Sequence, residues 1–207
     1  MADEAAERTL RAAVDPSPDL QTACARFLDE LVAWSHAFRA AHPDWPPAGH
    51  DSGTCMTPWA ALVRARDDAD ALAFMKRFRD AAAATWSGSG AWRRGYWREQ
   101  EAHHGPEHYD IFLYTLWRLD PEDEATVAQF LPAARMAINA EPDVEPWFDA
   151  DAGVYRSLFL GADTVGPPAV NVPDHLRFAS LALHAWEMTG EATFRDHAAQ
   201  YAGRWAA

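Results

Sequence analysis

Cysteine is scarce: the 207 residues contain two, Cys24 and Cys55. Two thiols cannot staple a chain of this length, so both are expected to be reduced, Cys24 on a helix stripe and Cys55 in a loop. Long apolar runs are lacking too. None reaches the roughly 20 residues a membrane helix needs, and Met1-Ala2-Asp3-Glu4 carries acid where a signal peptide would carry base. These features predict a cytoplasmic protein with no membrane partner. Basic residues number 18 against 31 acidic ones, a formal net charge of −13. Affinity for phosphate backbones comes from Lys and Arg, so no nucleic-acid partner is expected. The chain has no Walker loop, no G-x-S-x-G, no C-x-x-C pair and no dinucleotide fingerprint, which disfavours nucleotide and flavin chemistry. No cofactor is expected.

What remains is a balanced globular composition, 49% hydrophobic and 24% charged, with ten tryptophans. The length suits one domain or part of a larger one. Residues 1–16 are alanine-rich and charged and read as a loosely held lead-in, with a single domain over 17–207. Ser17-Pro18-Asp19 is a helix start: a capping hydroxyl, a first-turn proline and an acid at the positive end of the dipole. The helix is predicted to run to about Ala41, with Leu20, Cys24, Phe27, Leu28, Leu31, Ser35 or Trp34, and Phe38 forming one buried stripe.

Three helix-turn-helix segments follow, over about 58–86, 106–140 and 173–206. Their turns fall at Asp67-Asp68, at 119–123 and at 188–191. Such a recurrence signals a helical array. In the second and third segments the first helix is apolar on every face: Tyr109, Ile111, Phe112, Leu113, Tyr114, Leu116 and Trp117, then Leu176, Phe178, Leu181, Leu183 and Trp186. A helix of that kind is expected to be buried on all sides. The second helices carry a single stripe each: Val127, Phe130, Leu131, Ala134 and Ile138, then Phe194, Ala198, Tyr201 and Trp205. Pro132 is expected to kink the former. The pattern predicts an all-α fold of α/α-hairpin repeats forming a partial α/α toroid, inner helices ringed by outer ones. Long connections at roughly 42–57, 87–105 and 141–172 would all emerge at one end, where loops of this length are usually functional. The third holds a small β-hairpin turning near Asp151–Gly153.

The repeated pairs, with Leu183-His184-Ala185-Trp186-Glu187-Met188-Thr189-Gly190-Glu191 at a pair's turn, resemble the six-hairpin glycosidase superfamily of α/α toroids. The resemblance covers about 58–207. It implies a carbohydrate-active protein, as in unsaturated glucuronyl hydrolases, sugar epimerases and polysaccharide lyases. A full toroid has about six pairs; three pairs and a leading helix make a half-size version, a fragment, or a ring completed by self-association as a homodimer.

The densest polar cluster, Trp97 to Asp110, lies at the mouth of an inner helix. Pro106 suits that helix's first turn, placing Glu107, His108, Tyr109 and Asp110 there with His103 and His104 above. His104, Glu107 and His108 spell H-x-x-E-H, but Gly105-Pro106 breaks the helix that a zinc site of that order needs, so no metal is assigned. The alternatives are structural capping and sugar chemistry. In sugar chemistry the proton-transfer candidates are His103, His104, Glu107, His108, Tyr109 and Asp110, with Asp149 as a second carboxylate. Glycoside hydrolysis needs an acid and a base about 5 to 9.5 Å apart. The resemblance implies that Asp110 corresponds to the inner-helix aspartate of unsaturated uronyl hydrolases, while related lyases use His and Tyr.

Trp45, Trp92, Trp97 and Trp147 fall in or beside the long loops, where they could stack on sugar rings or pack the loops down. Arg98 or Arg156 could hold a uronate carboxylate. Arg93, Arg94 and Arg98 could equally pair with Glu99 and Glu101. His175, with Asn171, Asp174 and Arg177, and His50-Asp51 lie at corresponding helix mouths. The resulting expectation is acid-base cleavage, by hydrolysis or elimination, of a small carbohydrate that carries uronic acid. Its rival is a non-catalytic helical scaffold or binding module.

Overall fold

The computed structural model describes residues 17–45, 49, 51–89, 92–93, 96–97, 100–101, 104, 106–140, 147–156, 159–160 and 172–206. The chain forms two compact units, residues 1–42 and 43–207. The lead-in expected over 1–16 lies outside the described residues.

The first unit contains α1, Pro18–Ala41. It starts where the capping pattern predicts: the Ser17 hydroxyl accepts from the Leu20 amide at 3.3 Å, with Pro18 and Asp19 in the first turn. Of the expected stripe, Ser35 alone is buried. Leu20 and Phe27 are 50% and 63% exposed. The described residues of this unit include no second helix against which to bury the stripe.

The second unit holds the hairpins. A 3-10 turn, Ser52–Met56, leads into α2, Thr57–Arg66, and α3, Ala69–Ser89. Between them Asp67 takes a left-handed conformation at φ 51° and the Asp68 carboxylate caps the Ala71 amide at 2.9 Å, so both aspartates build the predicted turn. The second hairpin opens with a π-helical segment, His108–Leu113, that runs into α4, Tyr114–Leu119, and returns as α5, Glu124–Ala137. The α5 helix continues through Pro132. The third consists of α6, Val172–Thr189, and α7, Ala192–Ala206, with Gly190 at φ 73° between them. Glycine, lacking a Cβ, takes that positive φ at little steric cost.

Among the described residues, six two-residue strands accompany the helices. Strands β1 (Trp92–Arg93) and β2 (Tyr96–Trp97) pair with each other, as do β4 (Phe148–Asp149) and β5 (Val154–Tyr155). Strand β3 (Gln100–Glu101) pairs with β6 (Phe159–Leu160), tying the second long connection to the third. The β4–β5 hairpin is the predicted one and turns through Gly153 at φ 69°. Asn139 clasps its start: its side-chain oxygen accepts from the Trp147 and Phe148 amides at 2.8 and 2.9 Å, and its amide donates to the Phe148 carbonyl at 2.6 Å.

Helix α6 packs on both α5 and α7, and α2 packs on α3 and α4. The core between them holds Trp59, Phe74, Phe78, Phe112, Phe130, Phe178, Phe194 and Tyr201. Helix α6 departs from expectation. Phe178, Leu181 and Ala185 are buried, but Leu176, Leu183 and Trp186 are exposed, so α6 is covered along one side and not all round. Among the described residues no helix is long and apolar enough to cross a membrane.

Gly53 shows how closely the 3-10 turn meets the π segment. A Cβ there would lie 2.7 Å from the Phe112 Cβ and 3.0 Å from its Cγ. Gly53→Ala is expected to destabilise the protein by about 1–3 kcal/mol, as overpacking does in a dense core; a urea midpoint equal to that of the parent chain would refute this contact.

Candidate functional site

The opening of the second hairpin departs from a regular helix. An i→i+5 segment is rare, and where it occurs it often marks a functional site because it shifts side chains out of the ordinary helical register. Here it carries Asp110, which meets His184 from the middle of α6. The Asp110 Oδ1 lies 3.2 Å from the His184 Nδ1, and both atoms are buried. The two meet within ion-pair distance but without the alignment of a hydrogen bond, an arrangement common in sites that tighten around substrate. The side chains remain 15% and 21% exposed, so their reachable parts lie away from the contact. Desolvation raises the Asp110 carboxyl above the ordinary aspartate value, against the opposing pull of His184 and Arg177.

Tyr114, one turn after Asp110, stacks on the His184 ring at 3.6 Å between centroids and 9° between planes. Its hydroxyl donates to the Glu187 carboxylate at 2.5 Å. Burial, followed by the bond to Glu187, raises the Tyr114 hydroxyl above its ordinary value. Trp117 extends the stack, 5.8 Å from Tyr114 at 24°. One turn before Asp110, Glu107 lies 3.8 Å from the Arg177 guanidinium of α6. The cluster is therefore two carboxylates on one helix opening, facing a histidine and an arginine on α6, with an aromatic plane beside them.

Of the residues singled out from sequence, Glu107 and Asp110 share this cluster. His104, half-buried, sits just above, its carbonyl accepting the Glu107 amide at 3.1 Å. His108 and Tyr109 are fully buried. The His108 ring packs edge-on against Trp86 at 4.6 Å, and Tyr109 lies edge-on to Phe130. Burial lowers the His108 pKa to about 3. Trp147 and His175 are core residues as well, packed against Tyr155 and Phe178. Asp149 closes the β4–β5 turn, accepting the Ala152 amide at 3.0 Å and meeting the Arg156 guanidinium at 3.2 Å. Those contacts, the amide first, hold its carboxyl below the usual range. Trp45 is half-buried, edge-on to Trp59 and Phe78. Trp92 and Trp97 lie in β1 and β2, of which the backbone alone is described, and His103 and Arg98 fall outside the described residues. Among the described residues no group of three His, Cys, Asp or Glu side chains could hold a metal ion.

No family profile, curated protein or solved structure matches this chain. The site therefore has to be read from its own geometry. His184, Tyr114 and Arg177 are the members that sequence reasoning left out of the catalytic set. His184 sits within an apolar helix, where a histidine looks like core; the one available signal was its spacing three residues before Glu187, which puts both on the face that meets Tyr114.

Burial also makes a prediction about acid. His108 and His197 have pKa values lowered by desolvation to about 3 and about 4. His197 accepts or donates a 2.7 Å bond with the Tyr155 hydroxyl, depending on its tautomer. Both must stay neutral in the folded state but charge near 6.5 when unfolded. The stability they contribute is present above pH 6.5 and is lost as pH falls through the folded values. Each is expected to cost up to about 1.4 kcal/mol per pH unit below 6.5. Denaturant titrations at pH 7, 5.5 and 4.5 read this directly; a flat stability profile would contradict it.

Proposed function

We propose that the second unit is a partial α/α toroid, with α4 and α6 as inner helices, and that its Glu107–Asp110–His184 cluster performs acid-base cleavage of a small carbohydrate bearing a uronic acid. The observation that carries the reading is the Asp110 carboxyl, buried against His184 and held above its ordinary pKa. A carboxyl tuned upward is suited to donate a proton to a leaving glycosidic oxygen. Glu107 stands three residues earlier on the same helix opening, and residues at that spacing are neighbours with Cβ atoms about 5–6 Å apart. As the second carboxylate of the cluster, Glu107 is the candidate base or nucleophile. The Tyr114–Trp117 plane supplies an aromatic surface for the sugar, and Arg177 a donor for its carboxylate. The resemblance to the six-hairpin glycosidases supports the substrate class.

The test incubates the chain with polyuronate fragments, saturated and lyase-treated, and follows the ultraviolet absorbance of the conjugated unsaturated uronate. A fall is the expected result and means hydrolysis of unsaturated ends by the carboxylate pair. A rise means elimination and would hand the base role to His184 with Tyr114. No change with either substrate would overturn the uronate reading.

A further inference from the structure

A cavity of about 230 Å³ opens along the outer face of α3, and no member of the Asp110 cluster lines it. Phe74, Arg77, Phe78 and Ala81 reach it from helix positions separated by three and four residues, hence from one face, and Trp45 closes it from the preceding loop. Its floor is rigid. Phe74 and Phe78 are buried, and Trp45 stands edge-on to Phe78 with ring centroids 6.3 Å apart. At the rim the Arg77 guanidinium lies 5.8 Å from the Phe74 ring centroid, positioned by an aromatic face. Among the described residues no carboxylate comes within 4 Å of Arg77, whereas Lys76 and Arg79 beside it both have one.

We propose that this cavity binds a small aryl carboxylate, its ring on the Trp45–Phe74–Phe78 floor and its carboxylate on Arg77. The volume falls below the roughly 300 Å³ at which pockets begin to take drug-sized ligands, so it takes a single ring. Phenyl, indole and methyl surfaces offer a hydroxylated sugar few partners for the hydrogen bonds it would give up in water, and so select an apolar ring. The planar fork of Arg77 matches a carboxylate, with two donors to two oxygens. Asp44, which also lines the cavity, opposes a second negative charge and restricts the ligand to one.

The experiment titrates the full chain with phenylacetate and follows the Trp45 indole N–H resonance, identified by its disappearance in Trp45→Phe. Phenethylamine and glucuronate serve as comparators. A saturable shift with phenylacetate is expected, with a dissociation constant near or below about 1 mM, as suits some ten heavy atoms. Arg77→Gln changes an exposed side chain and is expected to weaken it about tenfold with the melting temperature unchanged. The proposal is overturned if phenylacetate gives no saturable shift up to about 10 mM, if phenethylamine or glucuronate binds as well, or if Arg77→Gln leaves the affinity intact. Asp110→Asn should leave this titration untouched, so the cavity and the acid-base site stand or fall separately.

Discussion

Asp110→Asn is expected to reduce turnover of the uronate substrate by about 10²- to 10⁴-fold, the usual contribution of a positioned general acid or base, while the protein stays at least as stable as its parent at neutral pH. The two halves of this expectation come from one cause. Burial raises the Asp110 carboxyl above the ordinary aspartate value, with His184 and Arg177 only partly offsetting it. A carboxyl with a raised folded pKa contributes stability below its unfolded value, and that contribution is lost as pH rises through the folded value. Above its folded value the ionised group is therefore a burden on the fold, and a neutral amide of the same shape relieves it. A purely structural ion pair would behave in the opposite sense, because deleting one partner strands the other charge. Equal activity in Asp110→Asn, or a lower melting temperature at pH 7, would remove Asp110 from the centre of the site. His184→Ala is expected to lose activity to a similar degree, since it removes both the partner of Asp110 and the ring on which Tyr114 stacks.

Helix ends and turns were legible in the sequence because each has a local chemical cause. Ser17 and Pro18 start α1, Asp67 and Asp68 turn the first hairpin, and Gly153 and Gly190 take positive φ where glycine is favoured. The π segment was not legible: it packs on the Gly53 turn and on α6, both distant in sequence, and no residue from His108 to Leu113 announces it. The same limit separates Asp110 from its neighbours. Three consecutive ionisable residues, His108, Tyr109 and Asp110, look equivalent in sequence, yet the first two are buried among Trp86, Phe112 and Phe130 while the third reaches His184. Tryptophans in long loops suggested sugar platforms, but Trp147 is held in the core by an Asn139 clasp that ties its backbone amide. Loop position records chain connectivity and not the direction of a side chain.

The largest expected loss of stability comes from Arg79, a residue whose place in the middle of α3 gave no sign of its role. It is 4% exposed, and its guanidinium bonds the Asp123 carboxylate at the end of the second turn and the Thr126 hydroxyl at 2.9 Å. Lys76, one turn earlier, reaches Asp120 at 2.6 Å and Asp123 at 3.6 Å. These bonds fasten the first hairpin to the connection between α4 and α5, 44 residues further along. Burial pushes the Asp123 carboxyl upward, but the Thr126 hydroxyl, Arg79 and Lys76 together outweigh it and hold the group below its ordinary value. Its stabilising contribution is thus present above the ordinary aspartate pKa and disappears as pH falls through the folded one. Arg79→Ala leaves the half-buried Asp123 with Lys76 as its remaining cation, and is expected to cost about 3 kcal/mol. The double variant Arg79→Met with Asp123→Leu removes both charges and fills the space with apolar atoms, which usually restores most of such a loss. A urea-unfolding cycle over the two singles and the double measures the coupling. If Arg79→Ala shifts the midpoint by less than the uncertainty of the fit, the hairpins are held together by their apolar contacts alone, and the buried arginine is a passenger in a core built by Phe74, Phe78 and Phe112.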